Sequence, residues 1–475
     1  MSFQVSTIGI TLIYMAAVGL IAAYVRRSAI TAAGYTEGGR QFPAIIIGFL
    51  MVSEFIGTAV SVGTAQLGYS KGISAAWNVF ALALGFVLLG LILARKYKEL
   101  GLNTISGVLA SRYGQNTRIA ASVLTICALE IIAVSIYASG GAVLSGILAI
   151  GKPTAVIVVG VLSVGYVSVG GMRSVVYTNV LHASIKYLGI VIAMIYGLSL
   201  TGGVTALATK LRPEMFVWDA VGWSQIGAWM IAGIGSIFAT QHVIQALYTV
   251  PNVRAAQKAC FYCAAAMVPF GILTAAVGMA SAALHPGINP LQAFPSLIAD
   301  MDRLSAGIVV AGLAASLFGT ISAVSIGAAT LLMKDFFEPL FNKERDERRS
   351  VRFLKVATII VGLLPVVIAL GANNVLHIAY LGKGLRAALA VLVLLAFYAP
   401  SFSNGSGAFI GIIVTLPATV VWYMLGDPYG IDNAYVALAC PVIVMGLFHL
   451  TSRRTAPIVT GNGPLPEQQV VANTE

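Results

Sequence analysis

The chain has 475 residues, is 58% hydrophobic and only 9% charged, and has a mean hydropathy of +0.91. That composition excludes a soluble domain of this length and points to an all-α polytopic membrane protein. The net charge of +11 implies no nucleic-acid partner, because the positive residues collect in loops on one side and so report orientation in a lipid bilayer.

Runs of roughly 20 apolar residues read as membrane helices. About thirteen recur, at 5–25, 43–70, 74–94, 119–149, 153–169, 177–200, 224–248, 259–284, 305–333, 356–371, 374–398, 407–425 and 434–450. The first has no basic residue before it and Arg26 and Arg27 after it, so it reads as a retained leading helix and not as a cleavable signal peptide. The next ten are numbered here as core helices, and the last two as trailing helices. The organisation expected is a leading helix and cytoplasmic loop at 1–42, a first inverted repeat at 43–200 and a second at 224–398. Trailing helices at 399–454 and a disordered cytoplasmic tail at 455–475 follow. The polar stretch 334–355, with KERDERR at 343–349, reads as a solvated cytoplasmic helix end.

With the N-terminus outside, about 20 of the 28 Lys and Arg fall in the cytoplasm. Five lie outside (Lys71, Lys152, Lys210, Arg212 and Arg303) and three in the membrane (Lys186, Lys383 and Arg386). An odd helix count then puts the C-terminus in the cytoplasm, in what reads as a bacterial plasma (inner) membrane. Cys127, Cys260, Cys263 and Cys440 form no disulfide framework, and the CxxC at 260–263 has no partner ligands nearby and reads as packing.

Two core helices look interrupted. The first carries Gly48, Gly57, Gly63 and Gly68 among Ser53, Glu54, Thr58 and Ser61; the sixth carries Gly227, Gly233 and Gly235 before Gln241 and His242. Glycine-broken segments five helices apart suggest inverted repeats meeting at a central site, where unwound backbone coordinates ions and solute. The alternative for any single glycine is close helix packing. Charges stranded in apolar segments mark the same region: Glu54, Glu130, Lys186, Lys383 and Arg386. Each costs on the order of 3 kcal/mol or more at mid-bilayer depth, so such residues usually line a substrate or ion path.

Several stretches, in order, resemble the sodium:solute symporter family. They are GGRQFP (38–43), TISGVLASRYG (104–114), GGMRSVVYTNVLH (170–182), QHVIQALYTVPNVRAAQKA (241–259) and AASLFGTISAVSIGAATLLMKDFF (314–337). The resemblance spans roughly residues 35–400. It implies ten core helices in two inverted five-helix repeats, a leucine-transporter-like fold, alternating access, and coupling in most members to inward Na+ flow.

It also implies an ion site made by the carbonyls of Ser53, Ile56 and Ser316 with Gly319 and Thr320. Gly319 stands where the family usually has a hydroxyl, so one oxygen ligand is missing. The family's Asp in the fifth core helix is Asn179 here, and seven residues on stands Lys186. Seven residues are about two turns, so both lie on nearly one face, roughly 10 Å apart along the axis. Two readings stand. In one, Na+ is the coupling ion and Lys186 snorkels or pairs with Glu54. In the other, the Lys186 ammonium substitutes for sodium and H+ is the coupling ion. His182, one turn from Asn179, is placed to join a proton path.

Candidate solute-binding residues are Glu54, Gln66, Glu130, Tyr137, Gln241, Lys383 and Arg386. Glu54 has three open roles: counter-ion of Lys186, proton acceptor, or ligand for a cationic group. Glu130 makes either a structural polar contact or a substrate contact. Lys383 and Arg386, three apart, share a helix face. They either snorkel to the surface or form an anion-binding face for a carboxylate. His242 and His377 read as satisfied polar residues or as relays, and Tyr69, Trp77, Tyr137 and Trp229 either stack on the solute or, as the favoured reading, are interfacial or packing aromatics.

The function expected is secondary active, cation-coupled symport of a small polar organic solute, with the carboxylate-bearing class favoured. The alternative is a proton-coupled or sodium-independent transporter. A channel, a sensor or an enzyme fits less well. The chain has no HExxH, no phosphate-binding glycine loop and no long cytoplasmic output domain, and no obligate protein partner is evident in it. Fold alone does not name the solute.

Overall fold

A computed structural model describes residues 3–25, 42–169, 172–372, 374–402 and 404–451. Among these, every regular element is helical. The principal helices are α1 (Phe3–Val25), α2 (Ala44–Phe55), α3 (Thr58–Lys71), α4 (Trp77–Leu88), α5 (Ile105–Tyr113), α6 (Gln115–Leu148), α7 (Lys152–Val169) and α8 (Met172–Thr201). They continue with α9 (Trp223–Phe238), α10 (Gln241–Tyr248), α11 (Val253–Leu284), α12 (Arg303–Leu332), α13 (Glu347–Ala369), α14 (Val375–Tyr398), α15 (Gly405–Met424) and α16 (Asn433–Thr451). Gly38–Gln41, Gly170, Gly171 and the tail at 455–475 lie outside the described residues.

Among the described residues, nine helices are long and apolar enough to cross a membrane, or ten with α9 and α10 as one bent span. The expected count of thirteen also requires the shorter apolar segments Gly9–Ile21, Ala44–Phe55 and Lys152–Gly165 to cross. The most enclosed helix is α12, with 89% of its apolar window buried, whereas the trailing helices α15 and α16 bury 33% and 22% of theirs. A helix apolar all round needs either a protein core or lipid against it. Here α12 takes the first and the trailing helices the second.

Both expected interruptions are present. Between α2 and α3, Ile56 leaves helical dihedrals (φ −88°, ψ 68°) and Gly57 is extended (φ −81°, ψ 178°). A Cβ on Gly57 would stand 2.5 Å from Thr320 Oγ1, so only glycine lets the broken helix approach α12 this closely. Gly57→Val should therefore lower thermal stability by about 1–3 kcal/mol through overpacking. A wild-type melting curve for this variant in detergent would show that α12 yields instead. Between α9 and α10 the axis bends by 44° at Ala239 and Thr240.

One end of the bundle is sealed by polar contacts. Lys98 Nζ donates to the carbonyls of Leu247 (3.2 Å), Tyr248 (3.0 Å) and Val250, holding the C-terminal carbonyls of α10 with a cation. Asp335 pairs with Arg118 (Nε–Oδ1 2.6 Å) and accepts from Ser106 (2.5 Å) and Ser122. Gln241 accepts from Ile105 N and donates to Asn103 O, both at 3.0 Å. Asp335→Ala would leave three donors at this end unmet. Loss of a buried pair costs about 3–5 kcal/mol, and Arg118, whose side chain is 28% exposed, puts the expected loss near the lower figure. Chemical denaturation measures it, and a loss under about 1 kcal/mol would class the bridge with surface pairs.

Candidate functional site

The opposite end opens into a vestibule of about 380 Å³, lined by residues of α3, α9, α14 and the α15–α16 connection. Trp229 and Tyr380 stand at its inner side with ring centroids 5.9 Å apart, and Tyr380 donates to Asn78 O at 2.7 Å. One turn further along α14 lies a second cavity of about 30 Å³. Its lining includes Glu54, Phe55, Gly57, His242, Thr320, Lys383 and Arg386. The two broken helices, α12 and α14 thus meet around one small, charged, enclosed space.

Beside it is a carbonyl cradle. Breaking α2 at Ile56 frees the Ser53 and Ile56 carbonyls from helical pairing. Lys186 Nζ, reaching from α8, donates to both, at 2.8 Å and 2.7 Å. Thr320 Oγ1 also donates to Ser53 O at 3.4 Å. Lys186 is only 2% exposed. Asn179 and Lys186 fall on one face of α8, as their spacing requires. A Cβ on Gly319 would stand 2.5 Å from Ser53 Oγ and 2.7 Å from Asn179 Oδ1. Gly319 therefore supplies no hydroxyl, and this packing leaves no room for one. Ser316 lines a minor cavity with Lys186, and its hydroxyl is committed to Gly312 O at 3.0 Å. These residues fit an ammonium and do not fit Na+. The carbonyls that sodium would need already accept from the Lys186 amine at hydrogen-bond distance, and a second cation in the cradle is repelled whenever that amine is protonated.

Glu54 does not hydrogen-bond Lys186. Both its carboxylate oxygens are buried without a hydrogen-bond partner, and the side chain faces the cavity. Lys383 Nζ likewise has no hydrogen-bond partner; it lies over the Tyr380 ring, 4.0 Å from the centroid. Arg386 donates to Thr240 Oγ1 (2.6 Å) and Gly382 O (3.4 Å), so its guanidinium sits at the α9–α10 break. At 4% and 1% exposure, Lys383 and Arg386 do not snorkel. They face inward and share the cavity with Glu54.

Other candidates lie elsewhere. Tyr137 donates to Gly362 O at 2.8 Å, tying α6 to α13. Gln241 belongs to the sealed end. The Glu130 oxygens are buried and unpartnered, but Glu130 does not line the cavity. Gln66 lines the vestibule. His182 Nδ1 is hydrogen-bonded to Tyr14 of α1, and His377 Nε2 lies 2.8 Å from Asp427. His242 lines the cavity against Phe55, with ring centroids 5.1 Å apart. The sequence reading missed Thr240 and Tyr14. A hydroxyl directly at a helix break was the available signal for Thr240, and nothing local marks Tyr14.

Residues 35–415 match the sequence model of the sodium:solute symporter family. The high-affinity proline transporter PutP of Bacillus subtilis (strain 168) is 24% identical over 439 residues, covering 85% of this chain and 89% of that protein. Among solved structures, a Na+-coupled sialic acid symporter in its substrate-bound outward-open state superposes with a TM-score of 0.82 at 17% identity, covering 96% of this chain and all of that one. Mhp1, a nucleobase-cation-symport-1 family transporter, superposes in its closed conformation with a TM-score of 0.59 at 14% identity, covering 89% and 96%. These likenesses establish the fold of two inverted five-helix repeats. The family match makes the protein an integral membrane transporter that moves a solute by cation-coupled symport, with Na+ as the family's coupling ion. The chain belongs to the sodium:solute symporter family.

Proposed function

We propose that this transporter imports a small carboxylate-bearing solute by alternating access, with the Lys186 ammonium in the position of the sodium ion and H+ as the coupling ion. The observation that carries this reading is Lys186 Nζ at 2.8 Å and 2.7 Å from the Ser53 and Ile56 carbonyls. Protonated, the lysine ties the α2 side of the break to α8 through charge-assisted bonds to Ser53 and Ile56. Deprotonated, it offers only neutral hydrogen bonds of about half the strength, and the break is free to relax. Asn179 and His182 continue along α8 from Lys186 and form the exit path for the proton. Ser316, Gly319 and Thr320 wall the cradle.

Lys383 and Arg386 are the anion-binding groups, and Glu54 addresses a cationic part of the solute. Proline and sialic acid, named for two of the similar proteins, both carry a carboxylate, which supports this class. Gln66 lies on the way in from the vestibule. The sealed end, with Lys98 and Arg118, is taken as the cytoplasmic one on the positive-inside rule. The N-terminus is then outside and the C-terminus inside, in a bacterial inner membrane.

A second reading, Na+ coupling with Lys186 withdrawn from the cradle, is favoured by the family match. Melting of the purified protein in NaCl against KCl at matched ionic strength, across about pH 5.5 to 8.5, separates the two, because a ligand that binds only the folded state raises the transition. A pH-dependent shift with no sodium effect is expected. A selective sodium shift would establish the second reading. In proteoliposomes, a pH gradient should drive accumulation of labelled proline or of another small carboxylate.

A further inference from the structure

The wall of the vestibule carries a polar cluster that the transport site does not use. His377, in the first turn of α14, faces Asp427 and Asp432 of the α15–α16 connection. One ligand atom from each lies within 4.8 Å of the other two. His377 Nε2 is 2.8 Å from Asp427 Oδ2. Asp432 is oriented by two contacts of its own: Oδ1 accepts from Ala434 N at 2.9 Å, and Oδ2 accepts from Gln225 Nε2 at 3.0 Å.

The fourth member is Asn433, which is 1% exposed. Its Nδ2 lies 3.2 Å and 3.3 Å from the Asp427 oxygens and 3.5 Å from His377 Nε2, while its Oδ1 is buried with no hydrogen-bond partner. A half-turn of that amide about its own bond would bring the unpartnered oxygen to where Nδ2 now stands, against the histidine and the aspartate. The cluster then offers one imidazole nitrogen and three oxygens. Ligand atoms at about 2.0–2.2 Å from a tetrahedral Zn2+ stand roughly 3.3–3.6 Å apart, so the His377–Asp427 pair at 2.8 Å has to open by about half an ångström or more, and pairs as far apart as 4.8 Å have to close by about 1.5 Å at most. An imidazole with carboxylates suits Zn2+ or a similar transition ion better than Mg2+ or Ca2+, which take six or more oxygens. Gln225 and Ala434 N supply the outer contacts that hold such ligands in place.

From these distances we infer that His377, Asp427 and Asp432, completed by Asn433, form a Zn2+-class transition-metal site in the vestibule wall. A bound ion would join the first turn of α14 to the connection before α16 and, through Gln225, to the first turn of α9. One wall of the vestibule would thus be braced as a unit. The inference does not depend on how the central cradle couples transport.

The test uses the full-length protein in detergent. ZnCl2 is titrated calorimetrically, with MgCl2 as control, and Zn K-edge absorption reports the ligand shell. Expected are one Zn2+ per chain at micromolar concentration, no response to Mg2+, and a nitrogen–oxygen shell with imidazole scattering. Affinity should fall at least tenfold in His377→Gln and in Asp432→Asn. The two substitutions lie on different segments, so misfolding of one leaves the other informative. Zinc binding unchanged in both variants, a sulfur-containing shell, or no micromolar binding to the wild type would overturn the proposal.

Discussion

Replacing Lys186 by methionine is expected to abolish pH-driven accumulation of solute in proteoliposomes while leaving exchange of solute across the membrane measurable. Methionine keeps much of the stem's volume in a site that is 2% exposed and deletes the cradle's ionisable nitrogen. If protonation of Lys186 is the coupling event, it and solute binding share a coupling free energy. Typical values are about 1–3 kcal/mol, a factor of roughly 5 to 150 in affinity. That factor should appear as a pH dependence of solute affinity in the wild type and collapse to near unity in Lys186→Met. The variant should also melt earlier, because the Ser53 and Ile56 carbonyls lose their charged donor, and an unmet buried group costs about 1–3 kcal/mol. Any stabilisation by Na+ should be larger in the variant than in the wild type, since the ammonium no longer excludes a second cation. A variant that retains the wild-type pH profile would reduce Lys186 to a structural tie between α8 and the broken helix.

The second large effect is expected at Lys383, where function and stability should move in opposite directions. Its ammonium is buried, lacks a hydrogen-bond partner and lies near a guanidinium that shares the cavity. Burying an ammonium without a hydrogen-bond partner, beside a guanidinium and with the Glu54 carboxyl as the acid in the same cavity, opposes folding, so Lys383→Met should raise the melting temperature. The same change removes the cation that, among the described residues lining this cavity, is left without a hydrogen-bond partner and free to meet an incoming carboxylate. Truncating one partner of a buried charge pair costs about 2–5 kcal/mol, which is roughly 30-fold or more in affinity. Arg386→Met should behave differently, because Arg386 is already committed to Thr240. It should weaken binding and also destabilise the α9–α10 break. Binding of a labelled carboxylate by scintillation proximity, with melting curves on the same preparations, checks both. A Lys383→Met protein that is less stable, or that binds as tightly as the wild type, would mean that Tyr380 and the cavity wall are enough to hold that charge for packing alone.

The features legible in the sequence were those carried by backbone and spacing. Glycines and hydroxyls marked both helix breaks, and the seven-residue step from Asn179 brought Lys186 level with the cradle. Gly319 stood out because a ligand type was missing. What stayed hidden was the direction in which a side chain leaves its helix. Tyr137 and Glu130 both belong to α6 and looked equally eligible for the solute site. Yet the Tyr137 hydroxyl is fixed by a carbonyl 225 residues away, and Glu130 lies off the cavity. The Glu54–Lys186 pair was a reasonable expectation for two buried opposite charges, but the freed carbonyls of the break compete for the ammonium and hold it. Asp427 and Asp432 sit in a connection that carries no periodic pattern, so their meeting with His377 depends wholly on tertiary placement.

Each helix break meets a cation from a later helix. Lys186 of α8 donates to the Ser53 and Ile56 carbonyls at the α2–α3 break. Arg386 of α14 donates to the side-chain hydroxyl of Thr240 at the α9–α10 break. Each break therefore has its own cationic contact. The contacts differ in one chemical respect: a guanidinium does not give up its proton under physiological conditions, whereas an ammonium can. On the coupling proposed for Lys186, one break would be releasable while the other keeps its cation, which would give the scaffold a mechanical polarity that its topology alone does not have.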